Sequence, residues 1–247
     1  YCCTPSGKFL GSINSRDPKR VAKMLRDSLK KWKEMSKEDR LLDYDPKDKL
    51  KEIKRGETQY PKDGLVLKVN SRDMPREGLK DSDWRTHAWN FDFAWFNKDE
   101  MLSMLPKQLK KDAEWELPDG LVKRLCRLHL LDNVRGQTNS YPLDAVKKAV
   151  INAKVTKIKK GVVTIELTGE VKLEQGQRGL EAKMLGEAAW NSKDKKFDKF
   201  ELVVVGERWG RTQFNARQDD TERAPIGYCL QIASDHATDK IAPASFW

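Results

Sequence analysis

Four residues of this 247-residue chain have the type and spacing for thiol chemistry. Cys2 and Cys3 are adjacent, and two neighbouring thiols are candidates for a redox role. Consecutive side chains of a strand point to opposite faces, so this spacing favours two ordinary strand residues over a reactive pair. Cys126 and His129 lie three apart in an apolar helical pattern. Such a pair can activate a nucleophile, but without a third partner it equally fits the edge of a packed stripe.

Metal binding has one weak candidate pair. Asp83 and His87 could contribute to one site if their segment were helical, and Asp81 is nearby. Because a metal site needs three or more converging ligands and only two are local, we predict no metal and no cofactor. The three histidines also form no Ser-His-Asp order and no metal triad. The sequence therefore favours a non-catalytic role, and it leaves an enzyme of unknown type open.

A charged loop near the end of the chain is the best candidate for polar recognition, because loops commonly carry binding residues. It spans residues 209–220 and follows an alternating apolar segment. The alternative is an ordinary charged surface loop. The candidate binding residues in and beside it are Arg208, Trp209, Arg211, Arg217, Asp219 and Asp220.

The charge balance permits, but does not favour, a polyanion as partner. The chain has 48 Lys and Arg against 38 Asp and Glu, a net charge of +10. Much of this excess lies in residues 16–55, where the charges alternate in sign as on a solvated helical face. Zinc-finger spacing, an RNA-recognition signature and a glycine-rich phosphate loop are missing from the sequence. No segment approaches the ~20 apolar residues that cross a membrane, so we predict no transmembrane segment.

The elements that would position these residues begin with a hairpin and a helix. We predict a strand over residues 1–4, a turn at Pro5 to Lys8, a second strand over 9–13 and a helix over 17–35. Asp17-Pro18 is a typical N-cap followed by proline at the first helical position. We assign residues 1–35 to a first region and residues 36–63 to a charged connector.

Residues 64–247 are predicted to form a second, α+β domain. Phe91, Phe93 and Trp95 alternate with polar or small residues, which favours a strand whose aromatic face joins the core. The alternative is an aromatic stacking platform. A capping-box pattern at Asn97 and the Pro118-Asp119 pair predict the starts of two helices.

The C-terminal half has the clearest periodicity. Five alternating apolar segments joined by short turns predict an antiparallel meander over about residues 148–233. It would be either a curved sheet or a partly closed barrel. Its inward residues are bulky, which predicts a filled interior rather than an internal ligand cavity. The predicted fold class is thus α+β, with an N-terminal hairpin and helix, a mixed middle region and this sheet.

Two parts of the sequence resemble known proteins. The run from Cys3 to Gly11, followed by Asp-Pro and a long helix, resembles the final β-hairpin and helix of thioredoxin-like proteins. The family's Cys-x-x-Cys motif and cis-proline precede that hairpin and have no counterpart here. The segments that begin at Trp89, Leu131 and Phe200 look like those of uncharacterised, exported bacterial proteins with a thioredoxin-like region before a β-rich domain. This resemblance implies a periplasmic, envelope or extracellular setting and no particular reaction.

Three functions remain as hypotheses. The leading one is a non-catalytic binding or assembly protein of the bacterial cell envelope, which uses the sheet and its loops to bind a protein or small ligand. The second is a thioredoxin-like thiol-redox accessory protein that uses Cys2 and Cys3. The third is a polyanion or nucleic-acid binding protein, which depends on net charge alone.

Overall fold

The computed structural model describes residues 1–15, 17–45, 56–80 and 82–246, and it divides into two compact units. The first unit is Tyr1–Arg55 and the second is Gly56–Trp247. The predicted connector over 36–63 straddles this division, and its residues 46–55 lie outside the described residues. No helix in the described ranges has both the length and the apolar character that a membrane span requires.

The first unit is a hairpin with a helix beside it. Strands β1 (Cys2–Cys3) and β2 (Phe9–Gly11) pair antiparallel, and Gly7 takes a φ of 87° in the turn between them. Helix α1 (Pro18–Glu34) follows, and α2 (Lys37–Arg40) is a single turn. The Asp17 side chain accepts hydrogen bonds from two backbone N–H groups of the first turn of α1, as its N-cap position predicts. The kinship with thioredoxin-like domains stays a prediction.

The second unit is built on one open antiparallel sheet of eight strands. Their order across the sheet is β4-β3-β10-β9-β8-β7-β6-β5. The strands are β3 (Leu65–Asp73), β4 (Trp89–Phe96), β5 (Glu114–Glu116), β6 (Val146–Lys159), β7 (Val162–Gln175), β8 (Arg178–Asn191), β9 (Lys196–Trp209) and β10 (Ala224–Ile232). The helices are α3 (Lys98–Ser103) and α4 (Asp119–His129). Short 3-10 turns lie at Gly56–Gln59, Trp84–His87, Leu143–Ala145, Ala237–Asp239 and Ala244–Phe246.

Strands β6 to β10 confirm the predicted meander, because each pairs antiparallel with the next along the chain. The hairpin between β6 and β7 turns through Lys160 and Gly161, both with positive φ, as a tight two-residue turn requires. The sheet does not close into a barrel: β4 and β5 are its two edges. Strand β3 extends the meander by pairing with β10, and β4 pairs with β3.

The core lies on one face of the sheet, where α4 packs across β6. The buried face of α4 consists of Val122, Leu125, Cys126 and His129. Leu121 and Leu128 of the same helix are only half-buried. The space left between α4 and the sheet measures about 10 Å³, room for about one water molecule at most. The interior is therefore filled, in agreement with the bulky inward residues of the strands.

Strand β4 differs from its prediction. Its pairing with β3 places Ala94 opposite Leu67 and Asp92 opposite Val69, so these residues face the core. The aromatic residues of the alternation lie on the opposite, outer face of the sheet, where Phe91 is 37% exposed and Trp95 is half-buried, although Phe93 is fully buried there. An alternation with period 2 shows that a strand has two different faces, but it does not show which face joins the core. In β4 the core face carries Phe96 and Asp92, and the carboxylate of Asp92 can be buried there because it is hydrogen-bonded.

Candidate functional site

Cys126 and His129 do not form a reactive pair. Cys126 is completely buried, and this burial raises the pKa of its thiol to about 12. His129 is hydrogen-bonded elsewhere: its Nδ1 lies 2.8 Å from Oδ2 of the buried Asp92. The other carboxylate oxygen of Asp92 accepts a hydrogen bond from the backbone N–H of Ala244 at 2.8 Å. The pair is thus part of the core and of a buried polar link to the C-terminal segment.

The cysteines of the chain, all of which are free, should differ in their rates of alkylation. Cys3 is exposed, so we expect iodoacetamide at pH 8 to modify it readily in the native protein. We expect Cys126 to stay unmodified until denaturant is added, because a buried thiol with a raised pKa supplies almost no accessible thiolate. Peptide mapping by mass spectrometry measures both. Equal rates at Cys3 and Cys126 would contradict this assignment.

The redox and metal candidates have ordinary partners. The Sγ atom of Cys2 lies 3.8 Å from Sδ of Met24, while Cys3 is exposed. The carboxylate of Asp83 binds the guanidinium of Arg85, with Oδ2 2.6 Å from Nη2, and these hydrogen bonds lower the pKa of Asp83 to about 2. No group of three or more His, Cys, Asp and Glu side chains comes together among the described residues, which do not include Asp81.

Three of the predicted binding residues are buried in one network of charges. We call this network the arginine–aspartate cluster. It joins the loop after β9 to the end of β3 and to the segment after α4. Its members are Asp73, Asp132, Arg135, Arg208, Arg217 and Asp220, each at most 10% exposed in its side chain. Their formal charges cancel, so the cluster is neutral as well as closed to solvent.

Arg217 is the centre of the cluster. Its Nη2 lies 2.7 Å from Asp73 Oδ1 and 2.6 Å from Asp132 Oδ1, and its Nη1 lies 3.0 Å from Asp220 Oδ2. Burial alone would lower the pKa of the Arg217 guanidinium, but the hydrogen bonds that it donates to Asp132 and Asp73 raise this pKa well above its usual range. The guanidinium therefore stays charged while fully buried, which is possible because three carboxylates surround it.

Asp220 forms ion pairs with the other arginines of the cluster. Arg208 Nη2 and Arg135 Nη1 lie 2.7 and 2.8 Å from Asp220 Oδ2, and the half-buried Arg76 lies 2.8 Å from the same atom. Burial acts to raise the pKa of Asp220, yet the hydrogen bonds from Arg208 and Arg76 hold it well below its usual range. Arg208, Arg217 and Asp220 thus anchor the loop from inside. This is a correction, because a recognition site would need these side chains to face solvent.

The other loop candidates lie in separate places. Trp209 stacks under Arg223, whose Cζ is 4.1 Å from the ring centroid. Asp219 is exposed and pairs with Arg85 at 3.1 Å. Arg211 is exposed and lines a depression on the surface. The six predicted binding residues therefore do not form one site.

A better candidate is a pocket on the outer face of the sheet, which we call the outer-face pocket. Its volume is about 460 Å³. It opens over β3, β9 and β10, beside the start of β4. The residues that line it are Asn70, Ser71, Arg72, Met74, His87, Ala88, Trp89, Val203, Val205, Gly227, Tyr228 and Cys229.

The strand register creates this pocket. Along one row of cross-strand neighbours, Trp89 pairs with Arg72, Arg72 with Gly227, and Gly227 with Val205. Because Gly227 has no side chain, the row of side chains has a gap between the cation of Arg72 and the apolar side chain of Val205. A Cβ atom at Gly227 would come within 2.9 Å of Sδ of Met74, at the flexible end of that side chain. The missing side chain thus leaves a recess in an otherwise continuous surface.

The recess has an aromatic wall and one available cation. The rings of Trp89 and Phe91 stack at 6.0 Å with an interplanar angle of 25°. The exposed Arg72 side chain donates from Nε to the backbone oxygen of Asp73 at 3.3 Å, and within the described parts of the chain it has no ion-pair partner. Among the described residues, no carboxylate lines the pocket. The aromatic alternation of β4 is the sequence signal for this wall, although the alternation alone predicts that these rings join the core.

No protein-family model matches the sequence, and comparisons with curated proteins and with solved structures find no significant match either.

Proposed function

We propose that this chain is a non-catalytic binding protein whose outer-face pocket holds a small molecule with a flat apolar body and an acidic group. The observation that carries the proposal is the direct pairing of Trp89 with Arg72 beside the recess at Gly227. This arrangement offers a ring surface and a guanidinium to the same ligand. The envelope setting and the role in assembly are also part of the proposal, and the sequence resemblance is their only support.

The shape and lining of the pocket support a small ligand. Its volume of about 460 Å³ lies within the range of about 300–1,000 Å³ that is typical of small-molecule pockets. Trp89 supplies aromatic surface, and Val203 and Val205 supply aliphatic surface that is nearly half exposed. Stacking on an exposed aromatic ring removes apolar area from water on both partners.

The cation supports an acidic group on that ligand. A guanidinium binds carboxylate, sulfonate or phosphate oxygens through paired N–H donors. Since no carboxylate of the described lining competes for Arg72, the ligand would meet an uncompensated charge. Asn70, on the neighbouring row, adds an uncharged hydrogen-bonding group.

A matched pair of fluorescent probes tests both halves of the proposal. 8-Anilino-1-naphthalenesulfonate has a flat apolar body and a sulfonate, whereas N-phenyl-1-naphthylamine has the same body without the charge. We expect Gly227→Val to abolish the binding of both probes, because the new side chain fills the recess. We expect Arg72→Gln to weaken the sulfonate probe about tenfold and to leave the neutral probe unchanged, since a hydrogen bond to a charged group contributes about 1.5–3 kcal/mol.

Leu185→Ala is the control, because Leu185 is exposed on the same face of the sheet but does not line the pocket. It should leave both affinities unchanged. Circular dichroism and the melting temperature must match wild type for every variant, because the sulfonate probe also binds partly folded proteins. Wild-type affinity in the Gly227→Val variant would show that the probe binds elsewhere and would overturn the proposal.

A further inference from the structure

The arginines of the second unit fall into two groups. Most of them pair with carboxylates: Arg76, Arg85, Arg124, Arg135, Arg208, Arg217 and Arg223. Within residues 56–80 and 82–246, the arginines without an ion-pair partner are Arg72, Arg127, Arg178 and Arg211. Arg72 lines the outer-face pocket, and the other three line one depression elsewhere on the unit. Uncompensated guanidinium groups are thus confined to two cavities.

We call the second cavity the arginine pocket. It is an open depression of about 620 Å³ between the turn that joins β7 to β8 and the segment that follows β9. Besides Arg127, Arg178 and Arg211, its lining residues are Asn139, Ser140, Tyr141, Pro142, Gln175, Gln177 and Thr212. All of these are uncharged, so the described residues bring three positive charges and no negative charge to the pocket.

The buried Tyr141 holds two of the three arginines in place. Nη1 of Arg127 donates to the backbone oxygen of Tyr141 at 3.0 Å, and Cζ of Arg178 lies 4.4 Å from the centroid of the Tyr141 ring. Burial raises the pKa of the Tyr141 phenol to about 12, so the phenol adds no negative charge near pH 7. These contacts orient the two guanidinium groups without neutralising them.

Arg178 is fixed further by acceptors that carry no charge. It donates from Nη1 to the backbone oxygen of Asn139 at 2.9 Å and from Nε to Oε1 of Gln175 at 3.2 Å. These hydrogen bonds hold residues 139–141 in place, and this structural role explains the position of Arg178 and one hydrogen bond of Arg127. It does not account for Arg211, which makes no hydrogen bond or ion pair with any described residue.

Arg211 is a third cation in this pocket. Its presence there increases the repulsion between like charges, and it makes no stabilising contact within the described part of the chain in return. The arrangement is favourable when an anion binds, because an oxyanion accepts several N–H donors from guanidinium groups that are already oriented. Three separate cations are suited to more than one anionic group.

We propose that the arginine pocket is a second ligand site, for a small molecule that bears two or more oxyanionic groups, either phosphates or carboxylates. The site is independent of the outer-face pocket: it shares no lining residue with it and requires no apolar body on the ligand.

Isothermal titration calorimetry with inorganic pyrophosphate and with citrate tests the site and separates the two kinds of anion. We expect at least one of them to bind with a stoichiometry of one, and the affinity to fall as sodium chloride is added. Arg211→Gln should weaken binding about tenfold, which corresponds to the loss of a charge-assisted hydrogen bond. The melting temperature of this variant should equal that of wild type, because Arg211 makes no contact that stabilises the fold.

Arg223→Gln is the matched control, since it removes the same charge from another exposed arginine. Arg223 is paired with Glu207 and lies over Trp209, away from the arginine pocket. It should leave the affinity for both anions unchanged. Equal losses in Arg211→Gln and Arg223→Gln would show a response to net charge only, and the absence of binding by either anion would also overturn the proposal.

Discussion

Arg217→Met is expected to lower the free energy of unfolding by about 3–5 kcal/mol, the typical cost of removing one partner from a buried ion pair. The side chain of Arg217 is completely buried and contacts three carboxylates. Arg135 and Arg208 would still serve Asp73 and Asp220. Asp132 would keep only the hydrogen bond from Asn215 Nδ2 at 3.2 Å, and so would become a buried charge without a cation. Urea denaturation followed by circular dichroism measures the change.

A second substitution shows whether this charge is the cause. The double variant Arg217→Met, Asp132→Asn removes the orphaned carboxylate together with its cation. We expect it to be more stable than Arg217→Met alone, because only a neutral amide remains to be satisfied. Arg211→Met, in the same loop but exposed, should change stability by less than about 0.5 kcal/mol. A double variant no more stable than the single one would point to lost packing instead.

Gly206→Ala is expected to lower the free energy of unfolding by about 2–3 kcal/mol, although it adds a single methyl group near the end of β9. A Cβ atom at Gly206 would lie 2.1 Å from the backbone oxygen of Glu181 and 2.4 Å from Cα of Ala182. Both atoms belong to the backbone of β8, so no flexible side chain can move to make room. The two central strands would have to separate at this point and lose ladder hydrogen bonds.

Gly120→Ala is the matched control for that change. Gly120 lies in the first turn of α4, and a Cβ atom there meets no other atom within 4 Å. The substitution should raise the free energy of unfolding by up to about 1 kcal/mol, because alanine is the better helix former. Thermal unfolding of both variants gives the comparison. If Gly206→Ala were as stable as wild type, the close approach of β8 and β9 would have to relax at no cost.

Local patterns in the sequence predict the parts of the fold that depend on neighbours along the chain. The alternation from Val163 to Leu173 identifies β7, and the capping box at Asn97 marks the start of α3. Each of these signals lies within about a dozen residues, the range in which period and turn chemistry act. The hairpin at Lys160 and Gly161 belongs to the same class.

The arginine–aspartate cluster and the outer-face pocket depend on pairing between distant segments, which no local pattern encodes. The arginine–aspartate cluster joins Asp73, Asp132 and Arg217, and the recess at Gly227 exists only because β10 pairs with β3. The sequence therefore predicts a charged loop, but it does not show that Arg208 and Arg217 turn inward. It likewise showed the aromatic side of β4 but not which side of the sheet this would be.

The place of β3 in the sheet has a consequence for the order of folding. The hairpin of β3 and β4 precedes the meander in the sequence, and among the described strands the other partner of β3 is β10, about 150 residues later. Contacts of such long sequence separation form late, because the intervening chain must first be ordered. The seam between β3 and β10 carries the recess at Gly227, and Asp73 at its end belongs to the arginine–aspartate cluster. The outer-face pocket is therefore completed only when β10 pairs with β3, after the pairs between consecutive strands of the meander have formed.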